Sequence, residues 1–298
     1  MQHSPITLEA LLVLDAIESR GSFAAAAEQL DKVPSAVSYI VQKLEEQLSV
    51  TLFVRQGRRS VLTPAGRYLL EEGRKVLGVV GNIAQQTQTI SHGWEPRIRI
   101  AFDTIFDVKL LLPVLADFLH HHPNIEIDLS EEVMHGGWEA LIEDRIDLLV
   151  GAPAPIPSQQ GIRATKVFQF VQKLIVAKSH PLANPNSAII KADIAQYRTV
   201  VVHDSAEKAV PWSTNVIEQS QRFYVSSIEH KIAAISAGVG VGFLPLVRVQ
   251  NQLASGELVA VDVIDANDQA EDIYMAWKMV NKGKGLQQLR TLITQIAQ

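Results

Sequence analysis

The region that most constrains the fold of this chain is residues 22–47, where two short helical patterns flank one break marked by proline. Ser22 is a favourable N-cap because its hydroxyl can accept a hydrogen bond from an amide of the first helical turn. Four small or apolar side chains then recur on one helix face: Phe23, Ala26, Ala27 and Leu30. Proline disfavours helix at the residue before it but is tolerated in a first turn. The sequence therefore predicts a helix, a tight turn and a second helix that begins near Pro34.

The predicted second helix has an apolar face and a polar face of low charge. Its apolar stripe consists of Val37, Ile40, Val41, Leu44 and Leu48. The first two turns of the opposite face carry no acid, and such a face is what the phosphate-lined major groove of duplex DNA accepts. The residues predicted to contact DNA are Ser22, Pro34, Ser35, Ser38, Tyr39, Gln42 and Lys43. Tyr39 and Gln42 are equally compatible with ordinary surface positions, because phosphate contacts outnumber base contacts in such interfaces.

A hairpin is predicted directly after this helix. Residues 51–54 and 60–62 have the composition of short strands, and the glycine-containing run 55–59 lies between them. Arg55, Arg58 and Arg59 would bring cations to DNA phosphates from the tip of this hairpin. An isolated basic trio is usually a solvated loop, but its position beside a helix-turn-helix favours a DNA-binding wing.

The distribution of charge supports this interpretation better than the total charge does. The whole chain is acidic, with 27 basic and 32 acidic residues. Residues 1–54 hold three basic and seven acidic side chains, whereas residues 55–75 hold six basic and two acidic ones. Neutralisation of phosphates requires only local positive charge, and a small cationic patch is repeated when the protein forms a dimer.

Four motifs of this region, in this order, resemble the amino-terminal signature of the LysR-type transcriptional regulators. They are Gly-Ser-Phe-Ala-Ala-Ala-Ala at 21–27, Leu-Glu-Glu-Gln-Leu at 44–48, Leu-Phe-Val-Arg at 52–55 and Leu-Thr-Pro-Ala-Gly at 62–66. The resemblance implies a winged helix-turn-helix over residues 1–63. Residues 33–35 depart from the Ser-Gln-Pro-like run of the family, and Tyr39 stands where a basic residue is frequent. The binding mode therefore carries over, but the particular base contacts do not.

A long helix is predicted over residues 64–93, because Thr63 and Pro64 form a strong helix start and no further proline follows before Pro96. Apolar residues repeat at heptad spacing on this helix, and such a seam favours a partner helix. The predicted dimerisation residues are Leu69, Leu70, Val76, Leu77, Ile83 and Ile90. The alternative is a helix lying on its own domain, with Gly73, Gly78 and Gly81 as interruptions. In the resembled family this segment is the linker helix that pairs two subunits.

Residues 97–298 alternate between strand and helix patterns, which indicates parallel sheets with crossover helices. Strands are predicted at 97–102, 125–129, 148–151, 173–177, 199–202, 223–225 and 240–244, and helices at 110–121, 138–145 and 228–237. The proline-rich run 151–157 separates two α/β lobes. Further motifs, including Arg-Ile-Asp-Leu at 145–148 and Phe-Leu-Pro at 243–245, resemble the effector domain of the LysR family. That resemblance implies a fold similar to periplasmic solute-binding proteins, with lobe I at about 97–160 and 268–298 and lobe II at about 161–267.

Ligands of open α/β sheets bind beyond the carboxyl ends of the strands. The predicted effector-binding residues at these positions are Asp103, Thr104, Glu132, His203, Ser205 and Phe243. The alternatives are that Thr104 or Ser205 only caps a helix and that Phe243 belongs to the core. A small-molecule effector is the ligand class that the family resemblance implies for the cleft.

Catalytic and metal chemistry is not predicted. The run 203–205 contains triad residue types, but adjacency in sequence is not triad geometry, and no GxSxG elbow occurs. Successive residues of a helix diverge by about 100°, so His120, His121 and His122 are predicted to form a solvated helix end rather than a metal site. The chain has no cysteine, which excludes thiolate catalysis and disulfides. No metal and no cofactor is therefore expected.

The sequence thus predicts an α/β protein with a mainly α-helical winged helix-turn-helix, a dimerising helix and a two-lobed α/β sensor. We expect a LysR-type regulator that binds double-stranded DNA and a small-molecule effector, self-associates as a dimer or tetramer and contacts RNA polymerase. The alternative class is a solute-binding protein without a regulatory role, but residues 1–5 do not begin an export signal. No apolar run is long enough for a bilayer, so a cytoplasmic location and no membrane partner are expected.

Overall fold

A computed structural model describes residues 4–56, 59–158, 161–185, 188–208, 217–264 and 269–297. Their contacts form two compact units, Met1–Gln88 and Thr89–Gln298. Arg58, one of the predicted DNA-binding residues, lies outside the described residues. In the part of the chain covered by these ranges, no helix is long and apolar enough to cross a membrane.

The amino-terminal unit is built from helices and one hairpin. Its elements are α1 (Leu8–Arg20), α2 (Phe23–Gln29), α3 (Pro34–Leu48), β1 (Phe53–Gln56), β2 (Arg59–Leu62) and the long helix α4 (Pro64–Ser91). The Thr7 hydroxyl caps α1 and the Ser22 hydroxyl caps α2, each by accepting a backbone N–H, and Gly21 ends α1 in the left-handed conformation. The start of α2 after Ser22 is as predicted, because local capping chemistry determines it.

The core of this unit is formed where α1, α2 and α3 pack against one another and against the hairpin. Fully or almost fully buried side chains include Leu14, Ile17, Val37, Leu44 and Leu52. β1 pairs antiparallel with β2, with Phe53 opposite Leu62. The predicted hairpin is therefore present, although its first strand begins two residues later than the composition of residues 51–54 indicated.

Helix α4 begins within this core and leaves it. Leu70 is only 3% exposed and packs in the core with Leu69 partly buried beside it, so the prediction that Leu70 forms a dimer seam is wrong. The seam positions Val76, Ile83 and Ile90 are 47%, 58% and 57% exposed. The helix thus covers its own domain first and presents apolar side chains to solvent beyond it.

The larger unit contains a five-stranded sheet in lobe I. Its strands are β3 (Arg97–Asp103), β4 (Glu126–Glu132), β5 (Leu148–Pro153), β6 (Ile162–Phe170) and β12 (Glu271–Lys278), in the order β4-β3-β5-β12-β6. β3 is parallel to β4 and β5, but β12 is antiparallel to both of its neighbours. Helices α5 (Val108–His121), α6 (His135–Ile142) and α10 (Lys284–Ile296) complete this lobe.

Two predictions about lobe I are therefore wrong. The sheet is mixed rather than parallel, because the returning chain enters it as an antiparallel strand. β6 was not predicted, and its residues were assigned to lobe II, yet it pairs with β12 over its whole length. The chain leaves lobe I after Phe170 rather than near residue 161, since β7 begins at Gln172.

Lobe II is formed by the residues between the end of β6 and the start of β12. Its elements are β7 (Gln172–Ala177), α7 (Lys191–Ala195), β8 (Thr199–Val202), β9 (Arg222–Val225), α8 (Ile228–Ser236), β10 (Gly242–Pro245), α9 (Gln250–Ser255) and β11 (Leu258–Val261). β7 is the centre of an antiparallel sheet of order β10-β7-β11, and β8 pairs parallel with β9. Ile175, Ile235 and Leu244 are fully buried between α8 and these strands.

Gly66 provides a test of the α4 packing. A Cβ at this position would overlap the Leu52 carbonyl oxygen and lie 2.9 Å from Leu62 Cδ2. We expect Gly66→Ala to destabilise the amino-terminal unit by about 1–3 kcal/mol, a typical cost of overpacking. Hydrogen exchange of the full chain should show lost protection in peptides from α1 to β2.

Gly81→Ala is the matched control, because a Cβ on Gly81 meets no described atom within 4 Å. Its higher helix propensity is expected to stabilise α4 by about 0.5–1 kcal/mol. Equal protection in the Gly66→Ala variant and the unsubstituted chain would contradict the close approach of α4 to Leu52.

Candidate DNA interface and ligand cavity

The solvent-facing side of α3 carries the predicted DNA-binding residues. Pro34, Ser35, Ser38, Gln42 and Lys43 are exposed, as is Tyr39 at 63%. Val37, Val41 and Leu44 on the opposite side are buried in the core. The apolar stripe therefore orients α3 with its polar, weakly charged face outward.

A concave surface lies between the start of α2, the outer face of α3 and the hairpin. It brings together five of the predicted residues: Ser22, Pro34, Ser38, Gln42 and Arg55. Ser35, Tyr39, Lys43 and Arg59 are not part of this concavity and lie on exposed surface instead. Arg55 and Arg59 are on the paired strands β1 and β2, which places both cations on the same hairpin.

Local hydrogen bonds orient several of these side chains. The Ser38 hydroxyl donates to the Pro34 carbonyl oxygen at 3.0 Å, and Gln42 Nε2 donates to Glu46 Oε1 at 3.0 Å. Lys43 Nζ lies 6.0 Å from the centre of the Tyr39 ring, one helical turn away. The Ser38 oxygen keeps lone pairs, and Tyr39 presents an aromatic face with a phenolic donor at its tip.

Glu45 positions the hairpin and was not predicted to do so. Its Oε1 accepts hydrogen bonds from Leu52 N at 2.6 Å and Phe53 N at 3.2 Å, which ties the end of α3 to the start of β1. Its half-buried position on the apolar side of the helix is the signal that distinguishes it from exposed Glu46.

A cavity of about 230 Å³ lies between the two lobes of the larger unit. Three predicted effector-binding residues line it: Asp103, Thr104 and Phe243. Lys231, Glu271 and Gln172 also line it and were not predicted. The prediction considered only residues that follow strands, and Lys231 is on helix α8. Gln172 and Glu271 are instead the first residues of strands β7 and β12, where the chain passes between the lobes.

Glu132, His203 and Ser205 do not line this cavity, so their predicted role there is not supported. The Ser205 hydroxyl donates to Glu132 Oε2 at 2.6 Å and accepts from Val133 N at 2.9 Å. The exposed His203 ring stacks on Tyr224 with centroids 4.6 Å apart. Ser205 and Glu132 thus join the lobes, and His203 belongs to the surface of lobe II.

Asp103 is a buried carboxyl group held by backbone amides. Its oxygens accept from Ile105 N at 3.0 Å and Met134 N at 2.8 Å. Burial raises the pKa of Asp103 to about 7, the two amides oppose this shift, and the nearby Asp204 and Glu131 carboxylates reinforce it. The cavity therefore contains a carboxyl group that is partly protonated near neutral pH.

Two other ionisable groups of the cavity are shifted toward their neutral forms. Burial lowers the pKa of Lys231 to about 8 and raises the pKa of Glu271. The causes are desolvation and not the field of a neighbouring charge. The cavity therefore keeps ionisable groups beside an apolar lining, as ligand sites commonly do.

Two sets of polar contacts join the lobes at the cavity rim. Asp204 Oδ1 accepts from Gly136 N at 3.1 Å. The Glu139 carboxylate, 7% exposed as a residue, accepts from Glu207 N and Lys208 N at 3.1 and 3.0 Å. These hydrogen bonds hold the loop after β8 against α6 of lobe I.

The second set centres on Thr104. Arg248 Nη1 donates to the carbonyl oxygens of Thr104 and Phe106, each at 2.6 Å. The Thr104 hydroxyl accepts from Ile228 N at 3.0 Å and donates to Glu131. Thr104 therefore belongs both to the cavity wall and to the contact between the lobes.

The three histidines at the end of α5 are not equivalent. His121 Nδ1 lies 2.9 Å from the Asp117 carbonyl oxygen. The His122 ring packs against Trp94 and Phe118 and bonds Gln288, so the prediction of a solvated end fails for this residue. Among the residues with described positions, no group of three or more His, Asp or Glu side chains is placed to hold a metal ion.

Comparisons with known proteins match both units. Residues 8–67 match the model of the bacterial regulatory helix-turn-helix protein, lysR family, and residues 91–296 match the LysR substrate binding domain. The probable HTH-type transcriptional regulator YhaJ of Escherichia coli (strain K12) is 34% identical over 279 residues, covering 94% of this chain and 93% of YhaJ. The HTH-type transcriptional regulator PunR of the same strain is 34% identical, covering 85% of this chain and 82% of PunR. The chain belongs to the LysR family.

A solved structure agrees with this assignment at the level of the fold. A mutant of Corynebacterium glutamicum OxyR superposes with a TM-score of 0.62 at 16% identity, covering 99% of this chain and 94% of that chain. The predicted family, fold class and regulatory function are therefore confirmed. The chain is a LysR-type DNA-binding transcriptional regulator with an effector-binding domain, and its relatives are transcriptional regulators and not enzymes. Regulators of this family bind DNA and small-molecule effectors and form oligomers.

The contact between the lobes can be tested at Gly136. A Cβ there would overlap the Ser205 hydroxyl oxygen and lie 2.8 Å from Ser205 Cβ. We expect Gly136→Ala to force the lobes apart and to lower the unfolding midpoint of the effector-binding unit by several degrees. All four tryptophans follow residue 88, so tryptophan fluorescence of the full chain reports on this unit selectively.

The double variant Gly136→Ala/Ser205→Gly supplies the control, because it removes Ser205 Oγ and Cβ, two of the three atoms nearest to the new methyl group, and leaves only the Ser205 carbonyl carbon at 2.8 Å. It should recover part of the lost stability, which is the non-additivity expected for residues in contact. Strictly additive losses would contradict a steric cause.

Proposed function

We propose that α3 enters the major groove of a DNA half-site while the β1–β2 hairpin neutralises adjacent phosphates. The observation that carries this proposal is the exposed, acid-poor first half of α3, with the Arg55 and Arg59 cations on the neighbouring hairpin. The side chains proposed to approach base edges or phosphates from this surface are Ser22, Pro34, Ser35, Ser38, Tyr39, Gln42 and Lys43. Arg58 is proposed as a further phosphate contact from its place in the sequence alone. Dimerisation through Val76, Leu77, Ile83 and Ile90 of α4 would supply two such helices.

The effector-binding unit is proposed to act by a shift of populations. A ligand whose contacts are better when the lobes are closed favours closure, and closure changes the geometry of the dimer or tetramer on its half-sites. Asp103, Thr104 and Phe243 support this idea because they line a cavity with walls from both lobes. Regulation of transcription would then proceed through contact with RNA polymerase, in the cytoplasm where bacterial DNA is bound.

Selection of genomic DNA by the full-length protein tests this function. Fragments retained at several salt concentrations should be sequenced, and the strongest should be footprinted. We expect protection of two half-sites in phase with the helical repeat of DNA, with affinity falling steeply as salt rises. Absence of enrichment over bulk DNA would contradict the proposed mode of binding.

Substitutions on α3 and on the hairpin should have different consequences. Tyr39→Ala is expected to alter the preferred sequence, because Tyr39 lies on the face that would meet the base edges. Arg59→Ala is expected to weaken binding to all sequences alike and to reduce the slope of log affinity against log salt by about one per lost phosphate contact.

Arg222→Ala, which removes an exposed arginine of the effector-binding unit, is the matched control for charge and should leave the salt slope unchanged. Binding selection with a randomised operator measures sequence preference, and titration at several salt concentrations measures the slope. A uniform loss of affinity in the Tyr39→Ala variant would contradict a base-reading role for Tyr39.

A further inference from the structure

Lys231 is an ionisable group that lines the cavity. Among the described residues it has no hydrogen bond and no ion pair, and no neighbouring charge perturbs its pKa. Its side chain runs along β10, where a Cβ on Gly242 would lie 2.6 Å from Lys231 Cε and 3.3 Å from Nζ. The absence of a side chain at Gly242 therefore leaves the space that the lysine occupies.

An unpaired ammonium group in a largely desolvated site is costly. Burial lowers the pKa of Lys231 from its ordinary value to about 8, so the group is still mainly charged at neutral pH. Proteins usually place a counter-charge beside such a group. The described residues supply none, and an anionic ligand would provide this counter-charge.

The rest of the cavity indicates the polarity and the size of the uncharged part of the ligand. Apolar side chains dominate the walls, among them Ile105, Val133, Phe170, Leu174, Val200 and Phe243. The volume of about 230 Å³ exceeds the roughly 150 Å³ of a cavity known to hold benzene. A single six-membered ring or a short alkyl chain with one polar group matches this size.

We propose that the effector is a small organic monocarboxylate with an apolar body, and that its carboxylate pairs with Lys231. This inference rests on the proposed function of the cavity as the effector site and specifies the class of ligand. It also gives Lys231 the role of a specificity-determining residue, because the lysine would favour a carboxylate over neutral molecules of the same shape.

The composition of the walls favours one anionic group over several. Lys231 is the single cation among the cavity-lining residues that the structure describes, whereas Asp103 and Glu271 contribute carboxyl groups. A phosphate dianion would meet these acids with only one cation to offset its charge. A cationic amine would be repelled by the Lys231 ammonium group. The Asp103 carboxyl group is also a poor partner for an amine, because it already accepts two backbone hydrogen bonds.

Binding to the full-length protein tests this class directly. The carboxylate probes are cyclohexanecarboxylate, benzoate, hexanoate and 3-phenylpropionate, and each is compared with its primary amide. Cyclohexylmethylamine and inorganic phosphate serve as the cationic and polyanionic probes. Isothermal titration gives affinities, and the tryptophan-monitored unfolding midpoint should rise for ligands that bind only the folded state.

We expect at least one carboxylate to bind at least about tenfold more tightly than its amide, as a hydrogen bond to a charged group implies. Lys231→Met should abolish this difference. It should also raise the unfolding midpoint of the ligand-free protein by several degrees, because it replaces an unpaired ammonium with an apolar group of similar length. Lys178→Met, at an exposed position of the same lobe, is the control and should change neither property.

Gly242→Ala provides a second variant that retains the charge. The added methyl group would displace Lys231, so carboxylate affinity should fall although the lysine is still present. Preferential binding of an amide, the amine or phosphate would overturn the proposal, as would carboxylate binding that survives Lys231→Met. Failure of every carboxylate to bind would overturn it as well.

The genomic DNA selection described above is independent of these ligands. A protein that protects paired half-sites but binds no carboxylate keeps its proposed DNA-binding mode and loses only this ligand class. A protein that binds carboxylates through Lys231 without selecting DNA keeps the proposed ligand class and loses the proposed DNA-binding mode. The two failures are therefore distinguishable.

Discussion

The insertion of β12 between β5 and β6 is the interaction on which the effector-binding unit depends. β12 is antiparallel to both neighbours, and Glu271 at its start is opposite Phe170 at the end of β6. The two connections between the lobes therefore run side by side, since β7 begins at Gln172 directly after β6. Phe170, Gln172 and Glu271 all line the cavity. The strand pairing that completes lobe I thus also fixes one wall of the cavity.

The amino-terminal unit could be predicted well from sequence because its rules are local. Capping by Ser22 and the helix start at Pro34 involve residues only a few positions apart. The error at Leu70 has a physical explanation, since a heptad pattern shows that a helix face is apolar but not which surface covers it. Gly73 shows the same ambiguity. It is buried, and a Cβ there would lie 2.6 Å from Leu11 Cδ2, so it permits close packing of α4 on α1 rather than interrupting the helix.

The larger unit was less predictable because its sheet is assembled from distant segments. β6 has only two buried positions, Val167 and Phe170, and its partner strand lies about a hundred residues later in the sequence. Such an edge strand has a weak pattern of its own. The rule that ligands bind at strand ends selected Asp103 and Thr104, which line the cavity, but it also selected Ser205, which follows a strand and contacts Glu132 instead. Lys231 was missed because a lysine on a helix is usually solvated.

Thr104 belongs both to the cavity wall and to the contact between the lobes. It lines the cavity, its hydroxyl accepts from Ile228 N, and its carbonyl oxygen accepts from Arg248. A ligand shifts a conformational equilibrium only by the difference between its affinities for the two states. Contacts with lobe I alone would leave that difference near zero, whereas a ligand that bridges Thr104 of lobe I and Lys231 of lobe II loses one contact whenever the lobes separate. Under the proposed mechanism, polar groups on both lobes would therefore let a bridging ligand favour the closed state over the open one.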